Sequence, residues 1–104
     1  MDRLNELRSA TPQLIADVEM FRPAHGGRNI PALLGWCCPL MLSREEPLEG
    51  WTAWPLLCDT SFLPGYVRRL GFVFANPDGP EKFLAATEFY LWEMRFVGRA
   101  KVVS

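Results

Sequence analysis

The sequence lacks a long apolar run. The best candidate, residues 30–42, is interrupted by Pro31, Gly35 and Pro39, whereas a membrane-spanning helix needs about 20 predominantly apolar residues. Residues 1–8 alternate charge with leucine and contain no apolar segment of the kind that a secretory signal requires. We therefore expect no membrane association. Three cysteines, an odd number, favour a reducing, cytoplasmic location over a disulfide framework.

The sequence also lacks the groupings that metal, nucleotide and catalytic sites need. It has one histidine, no Cys-x-x-Cys pair and no Gly-x-x-x-x-Gly-Lys-Ser/Thr loop. His25 stands beside two glycines, which is typical of a turn residue. Neither Asp59 nor Ser61 lies in a recognisable catalytic motif. These absences predict a protein without metal, cofactor, nucleotide or enzymatic activity.

Charge of one sign is not in excess. Eleven Lys and Arg residues face 12 Asp and Glu residues, so no global positive field attracts polyanions, and a nucleic-acid contact would need a local basic patch.

Cys37 and Cys38 are adjacent in a predicted strand, which places their side chains on opposite faces. We expect these two thiols to be buried or half-buried.

Short apolar runs separated by turn residues are what the sequence does contain. Nine prolines and eight glycines punctuate six such runs, which predict strands over residues 14–21, 35–42, 52–58, 66–75, 84–94 and 96–103. Leu63-Pro64-Gly65 predicts a turn in which the glycine has a positive φ. This pattern favours an all-β fold, and closure into a barrel would remove the unpaired strand edges. We expect an arm over residues 1–11, either a short helix or disordered, and one barrel domain over residues 12–104.

Five motifs resemble a known family. They are residues 16–20, the Gly26-Gly27-Arg28 turn leading to Pro31, Gly35-Trp36 with Pro39, the Leu63-Pro64-Gly65 turn with its following strand, and residues 89–98. In this order and register they are similar to the C-terminal barrel of translation elongation factor Tu, over about residues 12–104. The resemblance implies a six-stranded antiparallel closed barrel that stands without a GTPase domain.

The same resemblance implies an RNA contact as one possible function. Arg28 and Glu93 match tRNA-facing positions of the family, and Asn29 follows the arginine in the turn. From the residues themselves, Arg95, Arg99 and Lys101 share one parity of the last strand and would present three cations outward. Alternatively, Arg28 binds carbonyls of its own turn, and the strand cations only keep an edge solvated.

A protein contact is the function that the residues favour more. If Phe89 and Leu91 face inward, Tyr90 and Trp92 point outward beside Met94. Either the N-terminal arm covers these side chains, or they anchor a protein partner or a homodimer. Trp51 and Trp54 predict a second contact site or a covered edge. We therefore expect a non-catalytic binding module.

Overall fold

The six strands form a closed barrel. The computed structural model describes residues 3–58 and 60–104. The α-helices are α1 (Arg3–Ser9) and α2 (Gly79–Leu84), a 3₁₀ helix spans Pro23–His25, and the strands are β1 (Leu14–Met20), β2 (Cys38–Met41), β3 (Gly50–Pro55), β4 (Val67–Phe74), β5 (Glu88–Trp92) and β6 (Phe96–Val102). The strand order is β1-β4-β3-β2-β5-β6, and every neighbouring pair is antiparallel. The predicted six-stranded antiparallel closed barrel is therefore confirmed.

Two strands begin later in the structure than the sequence predicts. Residues 84–87 are not a strand, because Gly79-Pro80 opens α2, which ends only at Leu84. Proline is tolerated at the first positions of a helix, where its missing N–H would have no partner. The strand predicted from Gly35 begins at Cys38, since Gly35 has a φ of +100°, which no extended strand contains.

The core follows the alternation of the strands. In β1 the side chains of Leu14, Ala16, Val18 and Met20 are buried, and those between them are half-buried. The rings of Phe72, Phe83 and Phe89 pack edge to face at 5.3 to 5.6 Å between centroids, a favoured aromatic geometry. Because Phe83 belongs to α2, this helix contributes a side chain to the core between β4 and β5.

The antiparallel order defines two ends of the barrel. Strands β1, β3 and β5 all finish at one end, which we call the upper end. The connections 21–37, 56–66 and 93–95 cross the upper end, and the connections 42–49 and 75–87 cross the lower end. In the upper connections, backbone hydrogen bonds in both directions join Ala32 to Phe62 at 2.8 and 2.9 Å. Two separate connections are thereby held side by side.

Glycine is required at two positions of the upper end. Gly65 has a φ of +88°, and the N–H of Tyr66 bonds to the carbonyl of Leu63 at 3.3 Å, so the predicted turn is confirmed. A Cβ atom on Gly27 would lie 1.7 Å from the carbonyl oxygen of Phe21. No other residue fits there without moving the backbone.

The described part of the predicted arm is helical. Residues 1 and 2 lie outside the described residues, and α1 begins at Arg3. Leu7 of α1 is buried and shares a recess with Trp54 of β3 and Val73 of β4. The helix therefore packs along the outside of the barrel on β3 and β4.

Candidate functional site

The side chains of β5 alternate as predicted. Phe89 and Leu91 are fully buried, while Tyr90 and Trp92 are half-buried on the outer face. Met94 lies at the tip of the β5–β6 hairpin with 83% of its surface exposed. Since α1 packs on β3 and β4, the described arm does not account for the outward aromatic side chains of β5.

Tyr90 is covered by Phe96 of β6 and by Arg44 of the connection after β2. Its ring meets that of Phe96 edge to face at 6.0 Å, and the guanidinium of Arg44 lies 5.7 Å from the Tyr90 ring and 5.2 Å from the Phe96 ring. The Tyr90 hydroxyl donates to Glu88 Oε1 at 3.2 Å. Desolvation and, next, this hydrogen bond raise the pKa of Tyr90. These contacts leave Tyr90 less available to a partner than the sequence suggested.

Trp51 and Trp54 do not form one surface. Trp51 lies opposite buried Leu40 and packs against the core near the lower end, with Lys82 Nζ 5.5 Å from its ring. Trp54 lies opposite Val73 and beside α1. An odd separation along a strand places the two side chains on opposite faces, and neither lies on β5.

The cation predicted at the Gly-Gly turn is paired beneath the hairpin. The Arg28 side chain is 10% exposed, its Nε lies 3.3 Å from Glu93 Oε1, and its guanidinium lies 4.7 Å from the ring of Trp36. Trp36 Nε1 donates to Glu93 Oε2 at 2.9 Å. Glu93 therefore connects Arg28 and Trp36. The structure thus brings Arg28, Asn29 and Glu93 to the upper end, with Arg28 largely withdrawn from solvent.

Arg95 takes the role that the sequence allowed for Arg28. Its Nε donates to the carbonyl of Gly26 at 2.6 Å, and its Nη2 donates to that of Gly27 at 3.0 Å. The expectation that Arg28 binds the carbonyls of its own turn is therefore wrong: the hairpin supplies the arginine from across the fold. Bonds to a charged donor are the stronger class of hydrogen bond.

The remaining predicted cations, Arg99 and Lys101, lie on the barrel wall opposite carboxylates of the neighbouring strands. Arg99 Nε donates to Glu19 Oε1 at 2.8 Å, and Lys101 lies between Asp17 and Glu88 in the strand register. Arg69 binds Asp17 through two hydrogen bonds of 2.8 and 3.2 Å, and this interaction lowers the pKa of Asp17. Arg95 precedes β6 and is separate from this face. The three cations expected to share a patch are thus divided: Arg95 binds backbone carbonyls, whereas Arg99 and Lys101 lie next to carboxylates on the wall.

The upper end carries an apolar surface that the sequence reasoning missed. Among the described residues, every large hydrophobic side chain that is more than half exposed lies there: Met94 (83%), Val67 (65%), Leu33 (64%), Ile30 (63%) and Tyr66 (58%). We call these five residues the upper rim. Met94 alone was predicted to contact a partner; Ile30 and Leu33 lie between glycines and prolines outside the predicted strands, and Tyr66 and Val67 open the strand predicted from residue 66.

A recess adjoins the upper rim. It has a volume of about 230 Å³, and Leu33, Leu34 and Leu4 line it together with polar Thr60 and Ser61. Because α1 forms one side and two connections form the other, the recess is built from three segments distant in sequence. An apolar depression next to exposed apolar side chains is the arrangement in which anchor residues of partners are usually buried.

The cysteines are only partly as predicted. Cys38 is buried, and desolvation raises the pKa of its thiol. Cys37 is exposed, so the expectation of a buried or half-buried thiol is wrong for this residue; Cys58 is also exposed. Cys37 precedes β2, so the alternation expected within one strand does not apply to this pair. Within residues 3–58 and 60–104, no three His, Cys, Asp or Glu side chains are grouped as potential metal ligands.

Comparison with known proteins adds no relative. No family model matches this chain, and no curated protein matches it. The likeness to the C-terminal barrel of elongation factor Tu therefore stays a prediction from the motifs, although the closed antiparallel barrel agrees with it in architecture. In the described part of the chain, no helix has the length or the apolar character needed to cross a membrane.

Proposed function

We propose that this chain is a non-catalytic protein-interaction module that docks its partner on the upper rim. The observation that carries the proposal is the collection of the five most exposed large apolar side chains at one end of the barrel. Scattered single apolar residues are ordinary on protein surfaces, but a contiguous apolar area is typical of an interaction site. Of the partner-binding residues predicted from the sequence, only Met94 belongs to the upper rim. We therefore propose the rim in place of that predicted set.

The contrast with the barrel wall supports this choice. On the outer face of β1, β4 and β6, charged side chains pair with one another, as Arg69 does with Asp17 and Arg99 with Glu19. On β5, Tyr90 is covered by Phe96 and Arg44. These wall groups therefore have partners within the chain, while the rim leaves its apolar groups to a partner.

An RNA contact remains the alternative, with less support. Arg28, Arg95 and Arg99 are already engaged by Glu93, backbone carbonyls and Glu19, respectively. Binding RNA through them would break these contacts, whereas affinity for RNA rests mainly on free cations that neutralise phosphates. If RNA is the ligand, tRNA should shift in a gel at low salt, and Lys101→Gln should weaken the shift.

A reducing compartment such as the cytoplasm fits this role. The three thiols are free, and Cys37 and Cys58 are exposed to solvent. Disulfide-stabilised domains of oxidising compartments seldom leave such thiols unpaired.

Differential capture tests the proposal. Tagged wild-type protein and the double variant Leu33→Gln with Met94→Asn are immobilised and exposed to native lysate. We expect one protein to be retained by the wild type and lost from the double variant, because two rim anchors become polar. Hydrogen exchange of the complex should then show protection in connections 21–37 and 56–66.

Lys101→Gln is the matched control. It changes an exposed side chain on the wall, away from the rim, and should retain the same protein as the wild type. Equal retention by the rim variant, or loss with Lys101→Gln alone, would contradict docking at the upper rim.

A further inference from the structure

We propose that the partner of the upper rim is the lower end of a second copy of this chain, so that barrels associate head to tail. The inference rests on the proposed function in one respect, since it uses the same rim, but it adds the identity of the partner. Three features of the two ends carry it: apolar exposure, charge and a recess.

The lower end presents the other set of exposed apolar side chains. Leu42 follows β2, Leu84 ends α2 and Val103 follows β6, and these three side chains are 40 to 47% exposed. Leu42 and Val103 lie where β2 and β6 end, and Leu84 lies in the connection that follows β4. All three positions are therefore at the lower end. Exposed apolar groups therefore concentrate at both ends of the barrel, as stacking of one barrel on the next requires.

The charges of the two ends are complementary. The lower connections contain two cations and five carboxylates, whereas the upper connections contain three arginines and two carboxylates. The five lower carboxylates are Glu45, Glu46, Glu49, Asp78 and Glu81, and none of them forms an ion pair with a described residue. Arg22, exposed beside the rim, likewise has no ion pair within the described residues.

This pattern differs from that of the wall, where the pairing is internal. Asp17 and Glu19 already have arginine partners in the same chain. The five lower-end carboxylates and Arg22, by contrast, have no such partner among the described residues and are left for another molecule. Complementary charge of this kind steers association and fixes which surface meets which, and it disfavours contact between two acidic lower ends.

The lower end also has a place for an apolar anchor. A recess of about 130 Å³ is lined by Leu42, Pro47 and Trp51, with Glu49 and Ser43 at its polar side. An aliphatic side chain of the rim can enter such a recess while a neighbouring cation meets Glu49. The lower end thus combines an apolar recess, which suits a side chain of the rim, with a carboxylate, which suits Arg22.

A contact between two different surfaces leaves both outer ends free. Such a contact is heterologous, and it produces a ring if its rotation closes or an open chain if it does not. The expected species are therefore larger than dimers at high concentration. A symmetric dimer that pairs two upper rims would stop at two copies.

Sedimentation velocity of the wild type and two variants tests the proposal. One variant has a polar upper end (Leu33→Gln with Met94→Asn), and the other has a polar lower end (Leu42→Gln with Leu84→Gln). No variant gains a charge, so two substituted ends cannot associate through new ion pairs. All four substituted side chains are at least 40% exposed, and circular dichroism verifies that each variant stays folded.

We expect the wild-type mass to rise with concentration beyond twice the monomer mass of 11.8 kDa. Each variant alone should stay at the monomer mass. An equimolar mixture should reach twice that mass and go no further, because one intact upper end and one intact lower end remain. Raising the ionic strength from about 0.05 M to about 0.5 M should weaken this association, since it shortens the Debye length several-fold.

Other outcomes would overturn the inference, and they separate it from the proposed function. If the lower-end variant dimerises by itself while the upper-end variant does not, the rim pairs with itself, so the head-to-tail arrangement is wrong while docking at the rim stands. If the wild type remains a monomer at all concentrations, or if the equimolar mixture of the two variants remains monomeric, a second copy is not the partner. The capture experiment then decides separately whether the rim binds another protein.

Discussion

Trp36 donates its indole N–H to Glu93 at 2.9 Å, joining a connection after β1 to the β5–β6 hairpin across 57 residues of sequence. The other oxygen of the same carboxylate faces Arg28 at 3.3 Å. One exposed hairpin residue thus compensates a guanidinium that is nine-tenths buried. This relationship makes the hairpin part of the stability of the upper end and not only a link between two strands.

Glu93→Gln should therefore destabilise the barrel. The variant keeps an acceptor for Trp36 but removes the charge that balances Arg28, whose Nε and Nη1 are buried without a hydrogen bond in the described structure. Loss of one partner of a fully buried pair costs about 3–5 kcal/mol; because Glu93 is 42% exposed, we expect about 2 kcal/mol. Urea unfolding followed by tryptophan fluorescence measures it. The control Glu19→Gln on the wall should cost less than about 1 kcal/mol, and equal losses would contradict this account.

Arg95 and Arg99 should differ in importance although they are the same residue type four positions apart. Arg95→Ala removes two donors from the carbonyls of Gly26 and Gly27, and charged hydrogen bonds of this kind contribute about 1.5–3 kcal/mol each. Arg99→Ala removes an exposed pair with Glu19, which typically contributes about 0–1 kcal/mol. Thermal unfolding of both variants under one buffer gives the comparison. A larger loss for Arg99→Ala would show that the turn does not depend on Arg95.

The sequence predicted the barrel because its strands have clear alternation and its turns have distinctive residues. Leu14 to Met20 alternate between buried and half-buried as the period of two requires, and Gly65 has the positive φ expected of its turn. The wrong predictions concern contacts that the pattern of apolar and polar residues does not encode. Which arginine reaches the Gly26 carbonyl depends on how the hairpin folds over the turn, and side chains in connections, such as Leu33, have no period from which exposure can be read.

The three thiols should differ in reactivity toward a thiol reagent such as dithionitrobenzoate. Cys37 and Cys58 are exposed and should react rapidly in the folded protein. Cys38 is buried, and desolvation raises the pKa of its thiol, so little reactive thiolate forms. We expect two equivalents of label under native conditions and a third only in denaturant. Fast reaction of all three thiols would mean that β2 opens readily; Cys38→Ser identifies the slow site.

Asp17 should lose part of its pairing in acid. Its hydrogen bond with Arg69 lowers the carboxyl pKa below the ordinary value of 3.8. A carboxyl group whose pKa is depressed by folding stabilises the fold above its ordinary pKa, and this contribution disappears as the pH falls through the depressed pKa. Arg69→Gln should therefore return the Asp17 pKa toward 3.8 in an NMR titration. The control Arg99→Gln removes a nearby cation that pairs with Glu19 and should change the Asp17 pKa less.

Met94→Gly should stabilise the barrel, against the usual effect of adding glycine. Met94 has a φ of +62° at the tip of the hairpin and is 83% exposed, so its side chain strains the backbone while burying little surface. The left-handed conformation costs a non-glycine residue about 1–2 kcal/mol, whereas glycine adopts it freely. After the extra chain entropy of glycine in the unfolded state, which is about 0.4–1 kcal/mol, a gain of up to about 1.6 kcal/mol remains. Met94→Ala keeps the Cβ atom and the strain, so its unfolding midpoint in urea should stay close to that of the wild type. If alanine stabilised the protein as much as glycine, the gain would come from removing an exposed apolar side chain and not from the backbone.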